Sequence, residues 1–377
     1  MKKNSLTRFA RKLVSKKEHF PFSGQIELTY RCNLDCIHCC CKGPEDRGQR
    51  TEKRELTTEE WKKILDTLQQ EGCIWLTFTG GDPLVRDDFL ELYSYAKEKG
   101  FIITIFTNGY SLTEEIINYL AKLPPFSIEI TLNGITKEAY ESITRIKGSF
   151  DRVISNLKLL SKSGIKLILK SNCLKQNKNE IAKIKGWTEE LLGKPAQKKY
   201  RFKYDPMIYP RLNGDKTPCN YRLSFEELVE LKKQDPDIWE EYQKGLHSDF
   251  PDLKRDGSFL YHCNSWMQQF FINPYGRLKF CIFSDKFSID LKTTPFKEGF
   301  YRWAAQILNE RFKTNSKCKD CSLRPVCYHC PARAYLETGD EESLVPYYCQ
   351  LAEETAKEIA SVASLPRNDT KMRIFQR

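Results

Sequence analysis

Residues 31–41 read RCNLDCIHCCC, five cysteines in eleven positions. Thiols so dense suit three purposes: disulfides, a closed zinc site, or a metal cluster held by thiolates. Cys32, Cys36 and Cys39 are separated by three and then two residues. Zinc commonly takes paired cysteines plus a second pair or histidines, four ligands in all. Three thiolates from one short loop instead suit three irons of a [4Fe–4S] cube, with the fourth iron open to another ligand. Cys40 and Cys41 are surplus to that triple and are expected to pack as small apolar residues. A second cysteine field lies far downstream: Cys263, Cys281, CKDCSLRPVCYHC (Cys318, Cys321, Cys327, Cys330) and Cys349. Two of its pairs could form a zinc ribbon, and the whole set could hold iron–sulfur clusters.

The elements that must position these residues alternate. Strand-like runs GQIELTY, CIWLTFT, FIITIFT, FSIEITL, IKLILKS and YRFKYDPMI are separated by amphipathic stretches near Thr57–Gln70, Asp87–Lys99, Thr113–Leu120, Phe150–Ser163, Asn179–Leu192 and Ser224–Lys233. That alternation predicts βαβ units and a parallel sheet, an α/β partial barrel of six units. Chemistry then belongs on loops after the strands' carboxyl ends, where the first cysteine loop falls. GGDP (Gly80, Gly81, Asp82, Pro83), TNG (from Thr107 and Asn108) and TLNG (Thr131 to Gly134, with Asn133) occupy the ends of the next three strands. Singly, each is an ordinary turn; together they mark one rim. Asp205 ends the sixth strand, a candidate substrate contact or proton acceptor, with a solvated loop carboxylate as the plain alternative.

The expected organisation is a basic N-terminal helix over 1–23, the barrel over 24–234, a polar connection over 235–257, a small loop-rich cysteine-dense domain over 258–352, and a tail over 353–377. Leu6, Phe9, Leu13 and Val14 share a helical face at the start. No apolar run is long enough to span a bilayer or to serve as a signal peptide. The expected setting is cytoplasmic, where fifteen cysteines point to metal before disulfides. The formal charge of +11 is spread along the chain, without basic runs interleaved with stacking aromatics, and so does not argue for nucleic acid.

The cysteine triple, with His38 as the aromatic-type residue before its third member, resembles the signature of the radical S-adenosylmethionine (SAM) enzymes. GGDP resembles that family's GGEP motif, and the TNG and TLNG turns resemble positions that bind the methionyl and ribose portions of SAM. The resemblance implies that SAM chelates the open iron and is reductively cleaved to methionine and a 5′-deoxyadenosyl radical. It makes His38, Gly80, Gly81, Asp82, Pro83, Thr107, Asn108, Thr131 and Asn133 the expected SAM contacts, with the glycines admitting close backbone approach.

The downstream field resembles the family's SPASM extension: Gly276 to Cys281 gives Gly-x4-Cys, and Cys318, Cys321 and Cys327 follow at x2 and x5. The implied ligand sets are interleaved, Cys263, Cys281 and Cys330 for an inner cluster, Cys318, Cys321, Cys327 and Cys349 for an outer one. Three [4Fe–4S] clusters and SAM are the implied cofactors. The inner set is one thiolate short; it is either open or closed by Cys219.

SPASM enzymes mostly oxidise a peptide or protein, which implies a precursor peptide as substrate. A reductase, flavodoxin or ferredoxin would supply electrons. Sulfatase maturases carry an acidic base directly after the Gly-x4-Cys cysteine; here that position is Ile282, with Asp285 nearby. The stretch before the first strand is short for a leader-recognition domain, so a separate recognition protein is expected. The alternatives are a small-molecule or cofactor enzyme of haem or quinone type, a non-catalytic iron–sulfur or zinc adaptor, and an RNA-modifying enzyme.

Overall fold

Alternate residues along the first strand carry opposite characters, Ile26 and Leu28 apolar, Gln25 and Glu27 polar, and the same alternation recurs in Trp75–Gly80 and Ser127–Thr131. The computed structural model describes residues 19–41, 54–194, 201–236, 239, 258–263 and 267–363. Strands β1 (Ser23–Thr29), β2 (Trp75–Gly80), β3 (Ile102–Thr107), β4 (Ser127–Thr131), β5 (Leu167–Asn172) and β6 (Phe202–Asp205) lie side by side in sequence order, all parallel. Helices α1 (Thr58–Gln70), α2 (Phe89–Glu98), α3 (Glu114–Lys122), α4 (Lys137–Thr144), α5 (Ser149–Ser161) and α6 (Ile181–Leu192) connect them, and α7 (Phe225–Lys233) follows β6. This is the sequential α/β sheet of a partial barrel, as the alternation predicts.

One sheet face is apolar and carries the core. Ile26, Leu76, Phe78, Ile103, Ile105, Ile128, Ile130 and Leu169 are fully buried in one cluster with Trp61, Leu68, Leu92, Leu120, Leu157 and Ile184 of the helices. Each such side chain contributes roughly 1.5–3 kcal/mol by leaving water. The other face is polar. Paired residues of neighbouring strands share a face, so the register puts Phe106, Glu129, Lys170, Lys203 and Asp205 on the inner side. Glu129 pairs there with Lys170 at 3.2 Å and Lys203 at 3.5 Å. A parallel sheet packed on both faces would be apolar on both; this inner face lines a space.

The downstream region continues the same sheet. β7 (Gln269–Ile272) adds parallel to β1, and β8 (Arg277–Lys279) and β9 (Ile289–Asp290) follow antiparallel. It also carries more helix than a loop-rich reading expects: α8 (Phe296–Asn309), α9 (Pro331–Thr338) and α10 (Pro346–Ala363). α10 runs across the expected boundary at 352. The expected N-terminal helix, most of the connection over 235–257 and the end of the tail lie outside the described residues. Among the described residues no helix is long and apolar enough to cross a membrane.

Candidate active site

The cysteine loop leaves the end of β1 and is fastened at four places. Its stem is held by β2: Gly81 N–H donates to Thr29 O at 2.8 Å and Asp82 N–H to Arg31 O at 2.9 Å. A Cβ on Gly81 would stand 2.4 Å from Arg31 O, and one on Gly80, whose φ is +137°, 2.1 Å from Thr29 O. The room made by the two glycines is therefore taken by the stem of the cysteine loop. At β3, Asn108 Nδ2 donates to Asn33 Oδ1 at 2.9 Å and reaches Cys32 Sγ at 3.4 Å, while Asn33 Nδ2 donates to Ser111 Oγ at 2.6 Å. Beyond these, Asp35 and Ile37 N–H donate to Thr144 O and Ile143 O at the end of α4, and Leu212 N–H donates to Cys40 O. Ile37 is buried with Ile143, Leu174 and Ile208.

Asp82 is fully buried and its carboxylate ties β2 to β3. It accepts from Leu84 N–H at 2.9 Å, Thr107 Oγ1 at 2.7 Å and Asn108 N–H at 2.7 Å. Burial nonetheless raises its pKa to about 6, against the pull of those three bonds. Pro83 opens the short 3-10 turn Pro83–Val85 that Asp82 caps. His38 Nε2 lies 3.3 Å from Asn133 Nδ2, and Asn133 Oδ1 accepts from Asn172 N–H at 2.9 Å. Burial lowers the His38 pKa to about 4, so the ring is neutral at neutral pH, and its buried Nδ1 has no hydrogen-bond partner among the described residues. Thr131 ends β4 beside Lys170. The expected residues thus share one rim, but Asp82, Thr107 and Asn108 are engaged mainly with one another and with the loop. Asn33, Ser111, Asn177 and α4 complete it; Asn177 Nδ2 donates to Asn133 O at 3.0 Å. Only the polar side chains just past strand ends could have signalled them.

None of the fifteen cysteines is joined in a disulfide. Their mutual electrostatics gathers ten of them about three places, with Cys41 also close to the first through Cys39. Burial pushes the Cys36 thiol well up, and Cys39 and Cys32 push it further. Burial brings Cys281 up to about 12, with Cys330 and Cys263 as its thiol neighbours. Burial also brings Cys327 to about 11, with Cys349, Cys318 and Cys321 beside it. Among the described residues no three His, Cys, Asp or Glu groups close on one point as a single ion requires. Thiolates around an iron–sulfur cube each take a different iron, and the three sets suit that arrangement. Ligation of a cluster by such a set would displace protons that burial otherwise holds on the sulfurs.

Other candidates lie elsewhere. Cys219 has Arg222, Glu337, Lys216 and Asp215 as its charged neighbours and lines a separate cavity of about 640 Å³ with Lys175 and Tyr347. Cys40 and Cys41 have their sulfurs 3.8 Å apart, and Cys41 Sγ lies 3.9 Å from Glu27 Oε1. Asp285 pairs with the buried Lys279 at 3.1 Å, and Lys279 also donates to Ile282 O. Asp205 accepts from Met207 N–H at 2.9 Å. The walls around its strand end hold its carboxyl above the usual carboxylate range, opposed by Met207 N–H and by the charge of Arg333.

A sequential parallel sheet with a cysteine triple at the end of its first strand defines a class, and comparison with known proteins agrees with it. Residues 26–188 match the radical SAM superfamily. These residues form a radical SAM domain, of a family whose members use a [4Fe–4S] cluster and SAM. It is 26% identical over 344 residues to the AdoMet-dependent heme synthase of Methanosarcina barkeri, covering 85% of this chain and 94% of that protein. It is 38% identical over 138 residues to the mycofactocin maturase MftC of Mycolicibacterium smegmatis, covering 37% of this chain and 34% of MftC. That second match thus spans about a third of its relative's length. The fold is shared with Streptococcus suis SuiB bound to its precursor peptide SuiA, at TM-score 0.66 and 20% identity over 91% of this chain and 80% of SuiB.

Proposed function

We propose that this enzyme oxidatively modifies a ribosomally made peptide, with Cys32, Cys36 and Cys39 holding the cluster that binds SAM. The observation that carries the reading is the sorting of ten thiols into three sets, two of them in the region that extends the sheet beyond β1. When bound, the first cluster and SAM supply a 5′-deoxyadenosyl radical that removes a hydrogen atom from substrate. Cys263, Cys281 and Cys330, and Cys318, Cys321, Cys327 and Cys349, would hold two further clusters, which would supply electron-accepting chemistry.

The chain's own residues orient and enclose. Asp82 and Thr107 act as positioning residues that lock the β2 and β3 ends against the cysteine loop. His38, neutral and with an unpartnered Nδ1, is available to a ligand on that rim, with Asn133 fixing its ring. Asp205, at the exposed end of β6, is a proton acceptor whose affinity for a proton is raised by the protein walls around it. The fold likeness to a peptide-bound enzyme over 91% of the chain favours the peptide. A second reading, a tetrapyrrole-type substrate, is favoured by the likeness to a heme synthase over 94% of that relative.

The test is anaerobic turnover by the iron-loaded enzyme, with SAM and a reductant, of short peptides encoded beside it. A mass change in one peptide, with 5′-deoxyadenosine released in step, is the expected result. Turnover of an iron porphyrin with no peptide changed would replace this reading with the second.

A further inference from the structure

Between the mouth of the sheet and the Cys263 set lies a guanidinium with donors left over. Arg333 is in the first turn of α9, three residues after Cys330. Its Nη1 donates to Tyr328 O at 3.1 Å, and its plane lies over the rings of Tyr209 at 4.5 Å and Phe283 at 5.5 Å. Tyr209 and Phe283 in turn lie 4.7 Å apart, so two aromatic rings hold the guanidinium from one side. Its Nε is buried and has no hydrogen-bond partner among the described residues. Asp205 feels its charge but makes no ion pair with it, its side chain accepting instead from Met207 N–H.

A guanidinium carries five donors in a fixed planar fork that matches a carboxylate. Leaving such donors unpaired in an enclosed site is costly, and the stacking of the ring plane leaves the edge of the fork as the place for an acceptor. The electrostatic neighbours of Arg333 include Cys330 and, at the end of β6, Asp205. An acceptor seated there would lie between the rim and the inner cysteine set.

We infer that Arg333, backed by Tyr209 and Phe283, binds a carboxylate of the substrate. The inference rests on the proposed function for its location but not for its chemistry, because a peptide and a porphyrin propionate both present that group.

The experiment uses iron-loaded enzyme and two probe pairs. One pair is haem and its dimethyl ester, followed by optical titration. The other is a pool of synthetic peptides without acidic side chains, ending in a free carboxylate or in an amide, followed by retention on immobilised enzyme. Wild type should prefer the carboxylate form of at least one probe by about tenfold, the equivalent of about 1.4 kcal/mol, and Arg333→Met should abolish the preference with iron content and circular dichroism unchanged. Should the methionine variant lose iron, Arg333→Lys carries the test, and a preference reduced at least about threefold is expected from loss of the planar fork. No preference in wild type, or one that survives undiminished in the folded variant, overturns the inference. An Arg333-dependent preference for haem alone upholds it while removing the peptide reading; binding of both peptide forms alike, without haem preference, removes the inference and keeps the peptide.

Discussion

The Asp82 carboxylate takes three protein donors, two of them on the β3 side, and burial still holds its pKa near 6 against an ordinary value of 3.8. A carboxyl whose folded pKa is raised contributes stability below its unfolded pKa and loses it as pH rises through the folded value. Between pH 4.5 and 7.5 the loss is about 2 kcal/mol. Asp82→Asn should remove this component, and urea midpoints of both proteins at the two pH values would show it; equal pH dependence would contradict it. At the same scale, Cys39→Ala should abolish 5′-deoxyadenosine formation, whereas Cys40→Ala with Cys41→Ala should leave it within a few-fold. Product analysis by chromatography decides between them. The GGDP stretch was legible as part of a rim, because glycine, proline and a short acid punctuate strand ends. That Asp82 faces the protein was not, since nothing in four residues tells which donors a carboxylate will meet.

The six strands and their main helices could be read from apolar periodicity, because each buries one face in a single core. α4 could not. It is only eight residues, Lys137–Thr144, too short for a periodic stripe to stand out, and its sole clear signal is the Thr136 cap that accepts from Ala139 N–H. Yet its last two carbonyls hold the cysteine loop through Asp35 and Ile37. The glycines of β2 are a second case in which an element's end, not its body, matters. Gly81→Ala would bring Cβ within 2.5 Å of two backbone oxygens, so the β2 end must shift away from the loop stem. Loss of at least about 3 kcal/mol is expected, at the upper end of single-substitution effects. Gly186→Ala in α6 meets nothing within 4 Å and should stabilise by up to about 1 kcal/mol through helix propensity. Thermal or denaturant unfolding of the two variants side by side measures the contrast, and similar behaviour would contradict the role of Gly81.

At the scale of the molecule, the downstream region is fastened to the core by β7 and by side chains. Arg222, after β6, forks onto Glu337 of α9 at 3.1 and 2.5 Å, and both side chains are about nine-tenths buried. Removing one partner of such a pair costs roughly 3–5 kcal/mol, because the other charge is left buried. Arg222→Ala should lower the unfolding midpoint accordingly, while the double variant with Glu337→Gln should recover part of the loss. The downstream cysteines stood out in the sequence by their density, whereas their interleaved grouping came only from the resemblance to the SPASM pattern. The continuation of the sheet was not legible, because Gln269–Ile272 is four residues long and its partner strand lies far away in sequence.

The account rests on three thiolate sets, each suited to a four-iron cube, and metal content tests this most directly. Anaerobically reconstituted enzyme should contain about twelve irons and as many sulfides per chain, and the Cys318→Ala/Cys349→Ala double variant about eight. Four irons with tightly bound zinc in the wild type, or a double variant that keeps all of its iron, would contradict it.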